Sequence, residues 1–433
     1  MVATGHFEAR FVSRLELSPA SPMTKRMALR LMFLWMIGLA LCAKLTRADV
    51  QSGVMQGRRV VILENDRLRV VTFPGGGYIG EVKLKSEDPK VSINPMRVPH
   101  YQTIEPQNYK DELHNALYGD GGDRKIMAGY MGHFLCFPFL GGLSQQEKDQ
   151  GLGAHGEAAV VEWKVEEDKA RKARGDGVVL QMEAELPLTK YHVKRSLQMV
   201  EKEQIVYVDE SVTSLVNFDR PFQWVQHTTF GPPFVEAGKN KVDAPVLSPV
   251  WNQDAELYQH LQDKMWPQAE DLDGVVHDLR TMETQEGEGS YKAWLLDDSG
   301  KYTWFTMYHS EYKLLIGYLM PARWNPWIGD WQENKFKSHV PWNKEAVARG
   351  ILIGTTPFTD GIRRSMYNGS FYGMDTVRWI GAKESINQRY AIFLTEIPLG
   401  FKGVESLNVL KGYIHLKERE TNKLISIKAS QLD

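Results

Sequence analysis

Residues Arg59–Leu84 read RVVILENDRLRVVTFPGGGYIGEVKL, and this stretch decides the fold class. Arg59–Leu63, Leu68–Phe73 and Tyr78–Leu84 are short runs rich in β-branched and aromatic residues. Glu64-Asn65-Asp66 and Pro74-Gly75-Gly76-Gly77 interrupt them. Such runs, bounded by turn formers, predict successive strands, with the glycines as a hairpin turn; no Lys-Ser/Thr follows to suggest a phosphate loop. The pattern recurs at Val160–Val165, Val178–Ala184, Tyr191–Leu197 and Gln204–Val212. It returns at Tyr291–Leu296, Tyr302–Tyr308, Lys313–Tyr318, Tyr390–Leu394 and Tyr413–Leu416. Helical patterns are scarce, Asp254–Trp266 being the best and the charged Glu166–Arg174 the next. There is no Pro/Ser-rich linker and no propeller-length repeat. The expectation is an all-β chain, folded over residues 49–433 as one large antiparallel β-sandwich with few short helices.

The chain has 433 residues, 42% of them apolar, and a net charge of −2. That is enough apolar material for a large core. Without a basic stretch, nucleic acid is excluded as a partner class. Residues 1–48 read as an over-long start followed by a signal peptide. Lys25, Arg26 and Arg30 precede the apolar run Leu31–Ala43, which is short for a membrane span, and Thr46-Arg47-Ala48 places small residues at a cleavage site. A periplasmic or secreted protein is expected, touching a membrane only through its export signal. Cleavage would remove Cys42 and leave Cys136 as the single thiol. Its neighbours Phe134, Leu135, Phe137 and Phe139 make it a buried small hydrophobe rather than a nucleophile.

Two histidines carry the candidate chemistry. His155 stands in Gly153-Ala154-His155-Gly156, and His227 opens His-Thr-Thr-Phe-Gly-Pro-Pro after the aromatic run Phe222–Val225. Both are expected on loops between strands. Glycines let backbone approach a ligand closely, and Gly231-Pro232-Pro233 stiffens the turn beyond His227. Imidazole titrates near neutrality, so two on one scaffold suit proton transfer. Two long segments, Val98–Gly122 and Pro321–Pro341, look like functional loops. The second holds Trp324, Trp327 and Trp331 among Asn325, Asp330 and Glu333, a mixture of indoles and polar groups that suits sugar rings and hydroxyls. A metal set of His133, His155, His227 and Glu157 is a lesser reading, since they lack short ligand spacing.

These motifs resemble those of the aldose 1-epimerase (galactose mutarotase-like) superfamily. Gly-Ala-His-Gly-Glu, followed by Val160-Val161-Glu162-Trp163, is similar to its histidine-glycine motif and downstream tryptophan. His227–Phe234 is similar to its second histidine segment. Pro398–Glu405 is similar to the place of its C-terminal glutamate, with Glu396 as a competitor. The resemblance implies a β-supersandwich with a cleft for a mono- or oligosaccharide, and cofactor-free opening of a hemiacetal ring. Glu405 would be the base, His227 the acid, and His155 a positioning group, with Glu157, Arg349, Trp324, Trp327, Trp331 and Glu333 lining the substrate. The chain departs from the pattern in two places. Gly132–Pro138 has no Asn-Arg pair, leaving Arg124 or Arg349 to substitute, and Ala154 replaces the asparagine before the histidine-glycine pair. Two rivals stand beside anomerisation: a non-catalytic carbohydrate-binding protein, and a lyase-like polysaccharide-processing enzyme.

Overall fold

The glycine-rich turn closes the first hairpins because side chains would not fit there. The structure is a computed structural model that describes residues 49–166, 177–252, 265–270 and 274–432. Gly76 and Gly77 take φ of 83° and 63°. A Cβ on Gly77 would lie 2.5 Å from the Trp163 ring, and one on Gly76 would lie 2.5 Å from the Ala159 carbonyl oxygen. Trp163 N–H donates to the Pro74 carbonyl at 2.8 Å. The first hairpins are thereby tied to the segment that carries His155. This pairing also explains why the strand expected over Val160–Val165 shrinks to Lys164–Val165.

The architecture is an antiparallel β-sandwich. Helices are short: Asp111–Tyr118, Arg124–Gly129, Gln145–Asp149 and Ile362–Asn368 among the described residues. Most of the helix candidates Asp254–Trp266 and Glu166–Arg174 lies outside the described residues.

One sheet has ten strands. Asp49–Met55, Arg58–Glu64, Leu68–Phe73 and Tyr78–Leu84 lead to a centre of His133–Cys136, Val225–Phe230, Val347–Gly354 and Trp327–Asn334, and then to Glu288–Leu295 and Trp251–Asn252. The second sheet has eight strands, in the order Asn240–Asp243, Tyr302–His309, Leu314–Pro321, Ser385–Glu396, Ile205–Ser214, Tyr191–Val200, Gly177–Leu186 and Lys164–Val165. The segment Pro321–Pro341 is therefore not a loop. It holds the strand Trp327–Asn334 after a 3-10 turn at Ala322–Trp324. Alternation there is hidden because both faces of the strand are buried.

Period-two alternation sorts side chains into three layers. Val206 and Val208 face the core between the sheets with Leu63, Val70 and Ile316. Ile205 and Tyr207 face the other way, against Leu407, Ile414 and Leu416 of a C-terminal three-stranded sheet, Val404–Leu410, Tyr413–Glu418 and Leu424–Lys428. On the outer face of the ten-stranded sheet, Phe134, Cys136, Val225 and Leu352 form another cluster with Tyr118, Ile126 and Met127 of the first two helices. Each fully buried aliphatic or aromatic side chain contributes about 1.5–3 kcal/mol.

A charged cluster crosses the inter-sheet core. Arg195 and Glu210 pair at 2.7 Å, both essentially unexposed. The Glu210 carboxylate also accepts from Trp224, Gln226 and Tyr390. His133 bonds Gln226 at 2.7 Å through Nε2, and its Nδ1 lies 3.3 Å from the Tyr318 hydroxyl. The carboxylate is met on both oxygens, as a buried ion pair requires, while one terminal nitrogen of Arg195 has no hydrogen-bond partner and the guanidinium lies 4.8 Å from the Trp163 ring.

Candidate functional site

The central strands of the ten-stranded sheet place one residue after another under a single cavity. His227 is paired with Phe134 on one side and Leu352 on the other. Trp331 is paired with Gly350, and Tyr291 with Trp331. All of these except Gly350 line a cavity of about 530 Å³, a size that takes a small-molecule ligand. A Cβ at Gly350 would lie 3.0 Å from the Trp331 ring and 3.1 Å from His227 Cε1. The bare backbone there lets the two rings come together. His227 thus stands on a strand, Val225–Phe230, and not on the loop expected.

His155 comes to the same cavity from a turn. Its φ is 63°, its N–H donates to the Gly141 carbonyl at 2.9 Å, and the Gly141 N–H donates back to its Nδ1 at 3.3 Å. Accepting there puts the ring hydrogen on Nε2. The two imidazoles stand nearly perpendicular, with ring centres 5.6 Å apart. His227 also stacks on Phe134 at 4.5 Å. Its Nδ1 lies 2.9 Å from Thr229 Oγ1, which lies 2.8 Å from the Tyr130 hydroxyl. Burial holds both histidines below the ordinary imidazole range, His155 at about 4, and the His155 ring adds to the effect on His227, so both are neutral at pH 7.

The walls add groups that sequence reading did not assign. Trp342 and Tyr130 close one side, edge to face at 6.3 Å. Arg97 supports them from behind, its guanidinium 4.4 Å from the Tyr130 ring and 5.1 Å from Trp342. Lys337 Nζ lies 4.7 Å from the Trp342 ring and 5.3 Å from Trp331. Among the described residues Asp123, at the start of the helix Arg124–Gly129, is the one carboxylate lining the cavity. The signals were faint: Asp123 ends the Gly-Asp-Gly-Gly-Asp turn, and Lys337 sits between Trp331 and Trp342 in the long polar segment.

Of the residues expected from sequence, His155, His227 and Trp331 meet at this cavity. Glu405 does not. It lies in the C-terminal sheet and pairs with Lys417 at 2.8 Å, so both large sheets stand between it and His227. The closing strands, whose approach suggested the base, form a separate layer. Glu396, at the exposed end of Ser385–Glu396, belongs to the eight-stranded sheet. Arg349 faces the inter-sheet core, fully buried, with its guanidinium on both Asp330 oxygens at 2.9 and 2.7 Å. Alternation along Val347–Gly354 turns it away from the cavity.

Glu157 accepts from Leu188 N–H, Thr189 N–H and the Thr189 hydroxyl at 2.7–2.9 Å, which makes it an anchor for the turn between two strands. Glu333 is buried and accepts from the backbone N–H groups of Phe336 and Lys337 at 2.7 and 2.9 Å. Burial raises its pKa, and its role is to hold the turn that presents Lys337. Trp327 is capped by Phe371, stacked at 5.9 Å, and donates to the Asp375 carbonyl. Trp324 packs against the inter-sheet core. Arg124 pairs with Asp111 at 2.9 Å. His133 lies on the opposite sheet face from His155 and His227, so the metal set does not converge, and the described residues hold no cluster of metal-ligating side chains. Cys136 is buried beneath the cavity floor, its Sγ 3.7 Å from His155 Nδ1, and burial pushes its thiol up.

No family model matches the chain, and no curated protein is similar to it in sequence. Solved structures are. A candidate aldose 1-epimerase from Klebsiella pneumoniae superposes with a TM-score of 0.55 at 14% identity, over 81% of this chain and 83% of that one. A galactose mutarotase-like protein from Clostridium acetobutylicum gives 0.52 at 13% identity, over 81% of this chain and 99% of its own. At such identities the likeness concerns the course of the backbone. By fold, the chain is a galactose mutarotase-like β-sandwich.

Proposed function

We propose that the protein binds a carbohydrate in the cavity over His155 and His227 and promotes its anomerisation or epimerisation by proton transfer. One observation carries this reading. Two neutral imidazoles, 5.6 Å apart, face one cavity walled by Trp331, Trp342 and Tyr130. Indole and phenol faces suit the apolar faces of a pyranose, and neutral imidazoles accept and donate hydrogen bonds to its hydroxyls. The separation of the rings is about that across a sugar, so both reach one ligand. Ring opening breaks the bond from anomeric carbon to ring oxygen, with one proton removed from the anomeric hydroxyl and one given to the ring oxygen, and needs no cofactor. His227→Ala and His155→Ala are expected to lower anomer interconversion of aldoses by about 10²-fold or more with the melting temperature little changed. Polarimetry and exchange NMR measure this, and unchanged rates in both variants would sink the assignment.

A second reading is binding without turnover. It is favoured by the position of Glu396 and Glu405 in other layers, which leaves Asp123 as the carboxylate of the cavity. Wild-type protein that quenches its tryptophan fluorescence with a sugar, yet leaves anomer exchange at the solvent rate, decides for this reading.

We further propose export through the N-terminal segment, supported by the basic cluster Lys25-Arg26, the apolar run Leu31–Ala43 and the small residues ending at Ala48. No helix among the described residues is long and apolar enough to cross a membrane. Cell fractionation with and without residues 1–48 tests the placement in the periplasm or the medium.

A further inference from the structure

We propose that Lys337 is the proton donor of this cavity and His227 its proton acceptor, so that ring opening runs on an ammonium acid and an imidazole base. The inference rests on the sugar-cavity reading above. It reverses the role that resemblance alone gives His227, and it assigns a function to a lysine outside the family-like motifs.

The argument begins with the imidazole hydrogens. His227 Nδ1 faces Thr229 Oγ1 at 2.9 Å, and Thr229 Oγ1 in turn meets the Tyr130 hydroxyl at 2.8 Å. A Thr229 hydroxyl that donates to Tyr130 accepts from Nδ1, which in that arrangement carries the hydrogen and leaves Nε2 its lone pair. His155 has the opposite tautomer, because Gly141 N–H donates to its Nδ1. One cavity thus offers an acceptor at His227 and a donor at His155. Neither neutral ring is an effective acid, since losing its last N–H proton would leave an imidazolate.

A proton source has to come from the other lining groups. The Tyr130 hydroxyl is engaged with Thr229 and the Tyr291 hydroxyl donates to the Pro357 carbonyl, and burial raises both phenols. Lys148 lies exposed on a short helix at the rim, and Asp123 offers carboxylate oxygens. Lys337 is different. Its ammonium rests between the faces of Trp331 and Trp342, near enough to both imidazoles to disfavour their protonation. None of the described acidic side chains forms an ion pair with it. Its backbone is fixed by the Glu333 carboxylate at 2.9 Å, so the side chain leaves from a rigid root. Cation–π contact holds such a charge without consuming its hydrogens.

The step balances. His227 Nε2 takes the proton of the anomeric hydroxyl, and that O–H electron pair becomes the second bond of the aldehyde. The bond from anomeric carbon to ring oxygen breaks, its pair stays on the ring oxygen, and that oxygen takes a proton from Lys337 Nζ. Closure on the other face of the aldehyde runs in reverse and restores imidazole and ammonium.

Lys337→Met, Lys337→Arg and Lys337→Ala test this with α-D-glucose, α-D-galactose and D-glucuronate as probes. Arginine keeps the charge and the stacking but gives up its proton poorly. Expected are rates about 10²–10⁴-fold down in all three variants, with sugar affinity by tryptophan fluorescence held within about threefold in the arginine variant. Methylammonium in solution is expected to restore part of the Lys337→Ala rate. If Lys337→Arg turns over within about threefold of wild type, or only KM changes, Lys337 is a binding group and the proposal is overturned. A wild type that neither binds nor interconverts any probe removes the sugar-cavity reading itself, and this proposal with it.

Discussion

His133 and His227 are buried on opposite faces of one sheet, His155 comes half-buried from a turn to the His227 side, and the three do different work. Burial, with Arg195 adding to it, lowers His133 to about 3, while His155 falls to about 4. An unfolded imidazole takes its proton near pH 6.5, so below that pH the unfolded chain binds more protons than the native one. The stability these neutral rings contribute is thus present above pH ~6.5 and lost as pH falls through their folded values. Buried Asp243 and Glu333, whose pKa values are raised, act in the opposite sense at lower pH. The expected outcome is a melting temperature that declines from about pH 6.5 toward 4, with a shallower decline in His133→Gln. Calorimetry across that range checks it, and an identical slope in the variant would show that His133 is not a contributor. In the sequence the three histidines look alike. What separates them is strand parity: His133 and Gln226 point into the sandwich, while Phe134 and His227 point out of it.

At the scale of elements, the strands Tyr191–Val200 and Ile205–Ser214 supply Arg195 and Glu210, and this pair ties their sheet to the opposite one. Arg195 reaches the Gly77 carbonyl, and Glu210 reaches Trp224 and Gln226. Removing one member strands the other without a counter-charge. Glu210→Leu is expected to cost about 3–5 kcal/mol in urea unfolding, while a double Arg195→Met, Glu210→Leu protein recovers part of that loss. The early hairpins and the strands of the second sheet were legible because alternation, turn glycines and β-branched residues agree there. The strand Trp327–Asn334 was not legible. Its residues are buried on both faces, Trp331 toward the cavity and Asp330 toward Arg349, so its polar composition imitates a loop. The residues around His227 imitate a loop for the same reason, as polar Gln226, Thr228 and Thr229 sit in a fully buried strand.

For the whole molecule, the layering decides which carboxylates can take part. Glu405 lies on the third layer, beyond the eight-stranded sheet, and pairs with Lys417 at the surface. Glu405→Gln is therefore expected to leave sugar binding and turnover unchanged and to shift stability by no more than about 0.5–1 kcal/mol. A large loss of turnover in that variant would mean that the C-terminal sheet folds back to the cavity. By itself the sequence determined the all-β class, the sandwich, the turn at His155 and the burial of Cys136, because these follow from local periodicity, backbone freedom and immediate neighbours. The meeting of His155, His227 and Trp331, the arrival of Lys337 and Asp123 beside them, and the absence of Arg349, Glu157 and Glu405 from that cavity emerge from the folded sheets alone. Convergence of this kind depends on strand order and on which face each residue takes. One step of register reverses that face, and no local pattern records it.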